Sequence, residues 1–482
     1  LPLIILLFYD DFRKFRLAPG SCGGLYMAVL NLKRAQLSIP QNIFCLGLIN
    51  SEEEYLSVMR DVVSQLVKLW MPHYTQVSTY GLAQVSVRLG MFLADTPQRN
   101  ETCDIKQHNA DVFCHQCLAN KMECLNLSKS FPVRDVLSMR QWLKQYHDAS
   151  SVTSKKEIAQ RYGLKPPRTN HENPFYLLYD LYKFDIYTDS PVDFFHISLI
   201  GLFPTTIALI NSKLSSSKVN EIQGHMNDLG VSNLKWSDNA YWNGDMWLRF
   251  YSIAPFIYDR LLSIQDDFEC GLLVCLFRLC NWMRLMLLER LTSQDIDHAE
   301  NEWRVWAKQM IELFPGDNLN LKPNFHNMTH VFAFARDWGP PILYWARPFE
   351  HRHKMFKRLI SEGNFKNVLV WSAQQDSIHQ SIRFVYPEFN RNDRKMHKAI
   401  GLGKLVHFWE EGKLCYGEVQ EHTPNHIIVT LISFQNVHRG HRCPIWDSRR
   451  KGNRCIVLWR NYIGLTPLQG NFVNHFTVLN AL

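Results

Sequence analysis

The stretch that decides the fold is Leu3-Ile4-Ile5-Leu6-Leu7-Phe8-Tyr9-Asp10-Asp11-Phe12, an apolar run that ends in two acids. A short apolar run with a charged end is typical of a buried β-strand. A carboxylate at the end of a central strand needs a partner for its charge, and a metal ion is one such partner. From this stretch alone, a surface turn that begins at the two acids fits equally well. The choice depends on whether other acids come to the same place.

The length and composition indicate a large globular protein. With 482 residues, the chain is far longer than one ordinary core needs, so two or three domains are expected. The net charge of +8, with 20 His, is a mild basic bias that is compatible with a nucleic-acid partner. We expect no membrane span, and residues 1–9 lack the basic start and cleavage site of a signal peptide. Because the first residue is Leu rather than Met, further N-terminal sequence is expected.

The N-terminal region predicts three strands, a helix and a fourth strand. The predicted strands are residues 3–12, 25–30, 43–49 and 82–94, with a Gly-rich turn at 20–24. The helix begins with the acids that follow Ser51 and runs to about Trp70, with apolar residues on one face. The fourth strand also ends in an acid, Asp95. This is the opening order of a ribonuclease H-like α/β fold.

The rest of the chain predicts helices followed by a small β module. We expect a ribonuclease H-like core over residues 1–210, a helical insertion over 211–335 and a last core helix within 336–386. Short alternating strands and turns over 400–482 predict a small β-barrel, separated from the core by a polar linker at 387–399. Removal of this barrel is expected to leave the core folded.

Seven short motifs occur in a fixed order along roughly residues 1–360. They are Tyr9-Asp10-Asp11-Phe12, Ala94-Asp95-Thr96-Pro97-Gln98, His108-Asn109-Ala110, Cys114-x-x-Cys117, Asp193-x-x-His196, His326-x-x-x-His330 and Trp345-Ala346-Arg347-Pro348-Phe349-Glu350. As an ordered set, they resemble the core of CACTA-type (En/Spm-like) cut-and-paste transposases, most closely the versions in fungal genomes. The resemblance implies a DDE catalytic domain interrupted by a helical insertion before its last acid.

The resemblance implies that Asp10, Asp95 and Glu350 are the three catalytic acids. Asp11 is the alternative first ligand, because the family often has Asp-Gly-Phe where this chain has Asp-Asp-Phe. Enzymes of this class cleave phosphodiesters with two divalent ions bridged by carboxylates, and hard oxygen ligands suit Mg²⁺ or Mn²⁺. In the alternative interpretation, Glu350 is an exposed acid that pairs with its basic neighbours.

Those basic neighbours are predicted to contact the phosphate backbone of DNA. They are Arg347, Arg352, Lys354, Lys357 and Arg358. The resemblance also implies that Asp193 and His196, three residues apart at a helix start, lie near the active site. The alternative for that pair is an Asp that caps the helix and a His that is satisfied locally.

The chain also carries two correctly spaced pairs of zinc ligands. Cys114 and Cys117 have the spacing of a zinc knuckle, and His326 and His330 share one face of a predicted helix. Together they predict one structural Zn²⁺ in a closed Cys2His2 site. His108 and His115 are competing ligands, and a merely buried cysteine pair beside two unrelated histidines is the alternative. Most of the other cysteines, out of 12 in total, are expected to be small buried hydrophobes.

These features predict a nuclear DNA transposase that cuts transposon ends and joins them to target DNA, and that works as a homo-oligomer. The first alternative is a domesticated or decayed relative that binds DNA or chromatin without cutting, since no DNA-binding domain is recognisable ahead of the first strand. The second alternative is a zinc hydrolase in which the Cys and His residues carry the chemistry. Three acids at matching positions favour the transposase.

Overall fold

Two compact units make up the protein. In the computed structural model, one unit contains Leu1–Leu202 and Leu285–Gln380, and the other contains Phe203–Arg284 and Ser381–Leu482. The structure describes residues 2–13, 21–49, 52–77, 81–123, 126, 129–166, 172–317, 319, 322–362, 368–385, 405–410, 413–422, 426–437, 444–458, 462–465 and 476–478. From residue 381 onward, this description covers the backbone alone.

The first unit is built on a five-stranded sheet. Its strands are β1 (Pro2–Arg13), β2 (Ser21–Val29), β3 (Phe44–Ile49), β4 (His73–Val77) and β5 (Gly81–Ala94). They lie side by side in the order β3-β2-β1-β5-β4. The pairs β1–β2, β2–β3 and β4–β5 are antiparallel, whereas β1 and β5 pair in parallel. Since β1 is central and its residues 5–10 are all buried, the prediction of a buried first strand is confirmed.

Two features of this sheet differ from the prediction. The glycines expected in a turn at 20–24 lie partly within β2, where Gly24 pairs with Asp10 and Gly23 with Asp11. A side chain at Gly23 would collide with the ring of Tyr9, so the glycine serves close packing rather than a turn. Strand β4 was not predicted, and its exposed, mostly polar residues explain why no apolar pattern marks it.

Helices lie between and after these strands in the part of the first unit that ends at Leu202. They are α1 (Arg34–Leu37), α2 (Glu52–Trp70), α3 (Thr96–Thr102), α4 (Val136–Asp148), α5 (Val152–Arg161), α6 (Tyr176–Tyr182) and a π-helix (Phe195–Leu202), with a 3₁₀ turn at Pro40–Asn42. The predicted helix α2 is confirmed, and its Tyr55, Met59 and Val63 are buried in one core with residues of β1 and β5.

The π-helix continues directly into α7 (Phe203–Ser212). By length and composition alone, the 18 residues Phe195–Ser212 could cross a membrane, which differs from the expectation that no such run is present. Half of this segment is buried inside the protein, as it is in a core helix. A π-helix is rare, and it is found most often at functional sites.

The remaining helices divide between the two units. They are α8 (Ser216–Asp228), a 3₁₀ turn at Trp236–Tyr241, α9 (Gly244–Leu261), α10 (Asp267–Met286), α11 (Ser293–Leu313), α12 (Pro323–Trp338), a 3₁₀ turn at Pro341–Leu343, α13 (Arg347–Glu362) and α14 (Val368–Val385). The second unit packs an aromatic core in which Trp236, Trp242 and Phe250 are in contact.

The units do not follow the predicted domain boundaries. Residues 285–335 were expected in a separate insertion, but they belong to the unit that contains the sheet. The physical reason is packing. Helix α11 packs on α12 through Trp303 against Phe332 and through Trp306 against Phe325, and α12 carries the histidines that face the Cys114 loop.

The C-terminal strands form an antiparallel sheet of six strands. They are β6 (Leu405–Glu410), β7 (Lys413–His422), β8 (His426–Val437), β9 (Pro444–Leu458), β10 (Tyr462–Leu465) and β11 (Phe476–Val478). Their order is β10-β6-β7-β8-β9-β11. Within the described residues, the two edge strands do not pair with each other, so a closed barrel stays a prediction.

A buried ion pair joins α13 to α14. Arg352 donates from Nη2 to Asp376, at 2.6 Å from Oδ1 and 2.7 Å from Oδ2, and the two side chains are 1% and 5% exposed. Two charges removed from water in this way stabilise the fold only as long as both are present. The pair therefore fixes α13, which carries Glu350 in its first turn.

We predict that Asp376→Ala lowers the free energy of unfolding by about 3–5 kcal/mol, because it leaves the Arg352 charge buried without a partner. The exposed pair Lys144–Asp148 is the control, and Asp148→Ala should cost less than about 1 kcal/mol. Urea denaturation followed by tryptophan fluorescence measures both. Equal losses for the two variants would contradict the assigned role of the buried pair.

Candidate functional site

Two of the predicted acids lie side by side on neighbouring strands, with Asp10 inside β1 rather than at its predicted end and Asp95 directly after β5. Tyr9 on β1 is level with Ala94 on the parallel strand β5, so that Asp10 and Asp95 follow at adjacent positions. Asp95 is also the N-cap of α3 and accepts a hydrogen bond from the backbone N–H of Gln98 at 2.9 Å. The sheet and the cap therefore hold both carboxylates in place.

The third acid reaches the same place from α13. Side-chain ligand atoms of Asp10, His196 and Glu350 all lie within 4.8 Å of one another. His196 Nε2 lies 3.5 Å from Glu350 Oε1. We call Asp10, Asp95, His196 and Glu350 the acidic cluster.

The acidic cluster brings carboxylates together where water has little access, since Asp10 is buried and Asp95 and Glu350 are half-buried. Burial raises the pKa of Asp10 well above its ordinary value, and the nearby charges of Glu350 and Asp95 raise it further. Burial also raises the pKa of Glu350, but hydrogen bonds from His196 and His353 outweigh it and lower that pKa. The two shifts have opposite directions, so ionisation is disfavoured at Asp10 and favoured at Glu350, and a bound divalent cation would favour the ionised form of both.

Asp11 was the alternative first ligand, and the structure separates it from Asp10. Successive side chains of a strand point to opposite faces. Asp10 is buried in the cluster, whereas Asp11 is exposed and accepts a hydrogen bond from the Tyr9 hydroxyl at 3.0 Å. The group of possible metal ligands contains Asp10 and not Asp11.

Asp193 caps a helix, as one interpretation of the motif predicts, and it also orients His196 beside Glu350. Asp193 caps the π-helix by accepting from the backbone N–H groups of Phe195 and His196. Its Oδ2 also lies 2.5 Å from His196 Nδ1, which turns Nε2 toward Glu350. Its Oδ1 accepts from the N–H of Ala346 at 2.9 Å. Burial lowers the pKa of His196, but the hydrogen bonds to Asp193 and Glu350 outweigh it and raise that pKa.

His353 contacts the acids, and sequence reasoning missed it. Its Nδ1 lies 3.8 Å from Asp10 Oδ2 and 3.7 Å from Glu350 Oε2, while its ring packs against Phe12 and Tyr26. The side chain is 2% exposed, and Nε2 has no hydrogen-bond partner. The signal was present, since Glu350-x-x-His353 repeats the spacing of Asp193-x-x-His196 on one helix face.

The predicted DNA contacts divide into exposed and buried residues. Arg352 was wrongly included among them, because it is buried in its ion pair with Asp376. Lys354, Lys357 and Arg358 are exposed on α13. Arg347 is half-buried, with its guanidinium 5.6 Å from the centre of the Trp345 ring.

The four predicted zinc ligands come together within the first unit. Ligand atoms of Cys114, Cys117, His326 and His330 lie within 4.8 Å of one another. His326 Nε2 is 3.2 Å from Cys117 Sγ, and His330 Nε2 is 3.3 Å from Cys114 Sγ. Two thiols and two imidazoles in this arrangement match the donor set of a structural zinc site.

Groups around these four residues also suit a metal. The backbone N–H of Gln116 donates to Cys114 Sγ at 3.4 Å, and the buried Arg134 donates from Nε to the Cys114 carbonyl at 2.8 Å. Burial raises the pKa of Cys114, but its contacts with Cys117 and His330 outweigh it and lower that pKa. The contact with Cys114, together with burial, raises the pKa of Cys117. The pair therefore favours a thiolate at Cys114 only, and a metal ion, whose cysteine ligands are thiolates, would favour ionisation of both.

The competing ligands lie elsewhere. His115 is buried, and its Nε2 is 3.0 Å from the carbonyl oxygen of Ser190. Burial and the nearby Arg99 lower the pKa of His115 to about 3, so the ring is neutral. His108 is exposed. Neither belongs to the group that could hold the ion.

We predict that His353→Phe weakens Mn²⁺ binding by about 10–100-fold, the usual effect of removing a group that orients metal ligands. His353→Asn is the matched variant, since its amide nitrogen replaces Nδ1, and its affinity should stay closer to that of the wild type. Electron paramagnetic resonance titration measures both. A folded His353→Phe protein with wild-type affinity would rule out the orienting role.

We predict one zinc ion per chain, lost in Cys114→Ser and in His330→Ala because each removes one of four ligands. His108→Ala is the control and should keep its zinc, because that histidine is exposed. Elemental analysis of the purified proteins measures the metal content. Wild-type protein without stoichiometric zinc, or ligand variants that retain all of it, would remove the site.

Comparison with models of protein families and with curated proteins found no match to this chain. The evidence for function therefore consists of two groups of side chains. One is an acidic cluster assembled from β1, β5, the π-helix and α13, and the other is a set of two cysteines and two histidines.

Proposed function

We propose that this chain is the catalytic core of a cut-and-paste DNA transposase, which cleaves and joins phosphodiesters with divalent metal ions. The proposal rests on the close approach of Asp10 and Glu350, which are far apart in the sequence but lie together beside Asp95 and His196. Buried carboxylates repel one another unless a cation joins them. A site of this kind is well suited to Mg²⁺ or Mn²⁺.

Each residue of the acidic cluster has a role in this proposal. Two bound ions would activate the attacking water or 3′-hydroxyl and stabilise the leaving oxygen. Asp10, Asp95 and Glu350 would hold them through carboxylate oxygens. His196 presents Nε2 to the same place while Asp193 holds Nδ1, the arrangement that proteins use to orient a histidine at a metal.

The exposed face of α13 is suited to the DNA backbone. Lys354, Lys357 and Arg358 are exposed and follow Glu350 by four to eight residues, and Arg347 precedes it by three residues. Cations next to the metal ligands would hold the phosphates on either side of the cleaved bond. DNA ends and target DNA are the proposed partners, with a nuclear location and a homo-oligomer as the proposed setting.

The Cys2His2 site supports a structural role for zinc rather than a zinc hydrolase. Its four ligand atoms surround one point, and a tetrahedral ion with four protein ligands has no position left for water. The site joins α12 to the loop after α3, and α12 shortly precedes Glu350 along the chain. Zinc would therefore fix the last acid relative to the second.

The test is metal-dependent cleavage and joining of DNA by the full chain. With Mn²⁺, the wild-type protein should nick supercoiled plasmid and join a labelled oligonucleotide to it through its 3′-hydroxyl. We predict that Asp10→Asn and Glu350→Gln reduce both reactions by roughly a thousandfold, because bound metal contributes several kcal/mol to the transition state.

Asp11→Asn is the matched control, since Asp11 is adjacent in sequence but exposed outside the ligand group. It should retain both reactions. Wild-type protein that binds DNA but neither nicks nor joins it would favour the non-catalytic alternative, in which a transposase-derived protein binds DNA or chromatin.

A further inference from the structure

A buried segment lies between the two candidate metal sites. Residues 190–193 are all buried, and we call 189–193 the bridging segment. Its first residue is tied to the sheet, because the backbone N–H of Phe92 on β5 donates to the Asp189 carbonyl at 3.2 Å. The segment then leads directly into Asp193 and the π-helix. It therefore joins the sheet to the acidic cluster.

The zinc loop holds the bridging segment from one side. His115 and Gln116, which lie between the two cysteine ligands, both approach the carbonyl oxygen of Ser190, at 3.0 and 3.5 Å. A carbonyl can only accept, so His115 Nε2 carries the proton of this hydrogen bond. Any change in the conformation of the Cys114–Cys117 loop moves the donor that positions Ser190.

Residues next to the acidic cluster hold the same segment from the other side. Arg99 of α3 donates from Nη1 to the Pro191 carbonyl at 3.2 Å. Asp193 accepts from the N–H of Ala346, and the carbonyl of Ala346 in turn accepts from the N–H of Glu350 at 3.0 Å. Asp193 also orients His196. A displacement of the bridging segment would therefore move His196 and Glu350.

We propose that His115 is a positioning residue that couples the Cys2His2 site to the acidic cluster, so that zinc binding strengthens divalent-metal binding at the acids. The inference rests on the proposed function, since it requires an ion at each site. Cys114 and Cys117 would hold zinc at the two ends of the loop that places His115, and His115 places the bridging segment through Ser190. Coupling between two binding sites is reciprocal, so Mn²⁺ at the acids must also strengthen zinc binding.

A purely structural role for His115 has a different signature. A buried histidine that only satisfies the Ser190 carbonyl would contribute to folding stability. Its loss would weaken the fold but leave the effect of one metal on the other unchanged. The coupling between the two metals is therefore the decisive quantity.

The experiment measures zinc affinity of the full chain with and without saturating Mn²⁺, and Mn²⁺ affinity of the zinc-loaded protein. Three variants accompany the wild type. His115→Phe fills the space without a donor, His115→Gln restores a donor, and His108→Phe places the same substitution at an exposed position. In the wild type, Mn²⁺ should raise zinc affinity by roughly tenfold, within the usual range for coupled sites.

We expect His115→Phe to bind zinc but to lose this tenfold effect, and His115→Gln and His108→Phe to keep it. A wild type that binds both ions without coupling overturns the inference, and so does equal coupling in His115→Phe. If His115→Phe fails to fold, the wild-type measurement still decides whether binding of the two metals is coupled. A wild type that binds zinc but no Mn²⁺ would contradict the proposed catalytic function as well. A wild type that binds both ions without coupling would contradict the coupling alone.

Discussion

The structure depends most on the need to compensate buried negative charge. Asp10 is 7% exposed, and Glu350 and Asp95 are close enough to raise its pKa. Carboxylates in such surroundings are unstable together unless protons, histidines or cations neutralise them. His196 and His353 contact Glu350 through its two oxygens and provide part of that compensation. The geometry between them suits a divalent ion, and this makes the cluster a candidate catalytic centre rather than a structural ion pair.

The rest of the first unit holds these groups in place. The parallel pairing of β1 and β5 sets Asp10 beside Asp95, and the buried Arg352–Asp376 pair anchors the helix that carries Glu350. Asp193 connects the start of the π-helix to Ala346, one turn before Glu350. The bridging segment joins this arrangement to the Cys2His2 group. Few of these contacts lie on the surface, so we expect that the loss of one of them changes the positions of the acids.

Local patterns predicted the parts of the site that depend on short spacing. The apolar run before Asp10, the Cys114 and Cys117 pair and the histidines one helical turn apart could all be found this way. Contacts that arise only when helices dock could not. Arg352 has the same sequence context as exposed Lys354, and only the packing of α14 buries it. His353 acquires its role because α13 turns that face toward Asp10. The polar strand β4 left no apolar signal, and the unit to which α12 belongs follows from its aromatic packing on α11.

The most direct test of the central claim is anomalous diffraction from crystals of the full chain grown with Mn²⁺, recorded at the manganese and zinc absorption edges. We expect manganese bound by Asp10 and Glu350, with oxygen ligands at about 2.1–2.2 Å, close to the distance for Mg²⁺. We also expect zinc about 2.3 Å from the sulfurs of Cys114 and Cys117. Manganese absent from the acids at saturating concentration, with the side chains arranged as described, would contradict the claim that this is a catalytic metal centre.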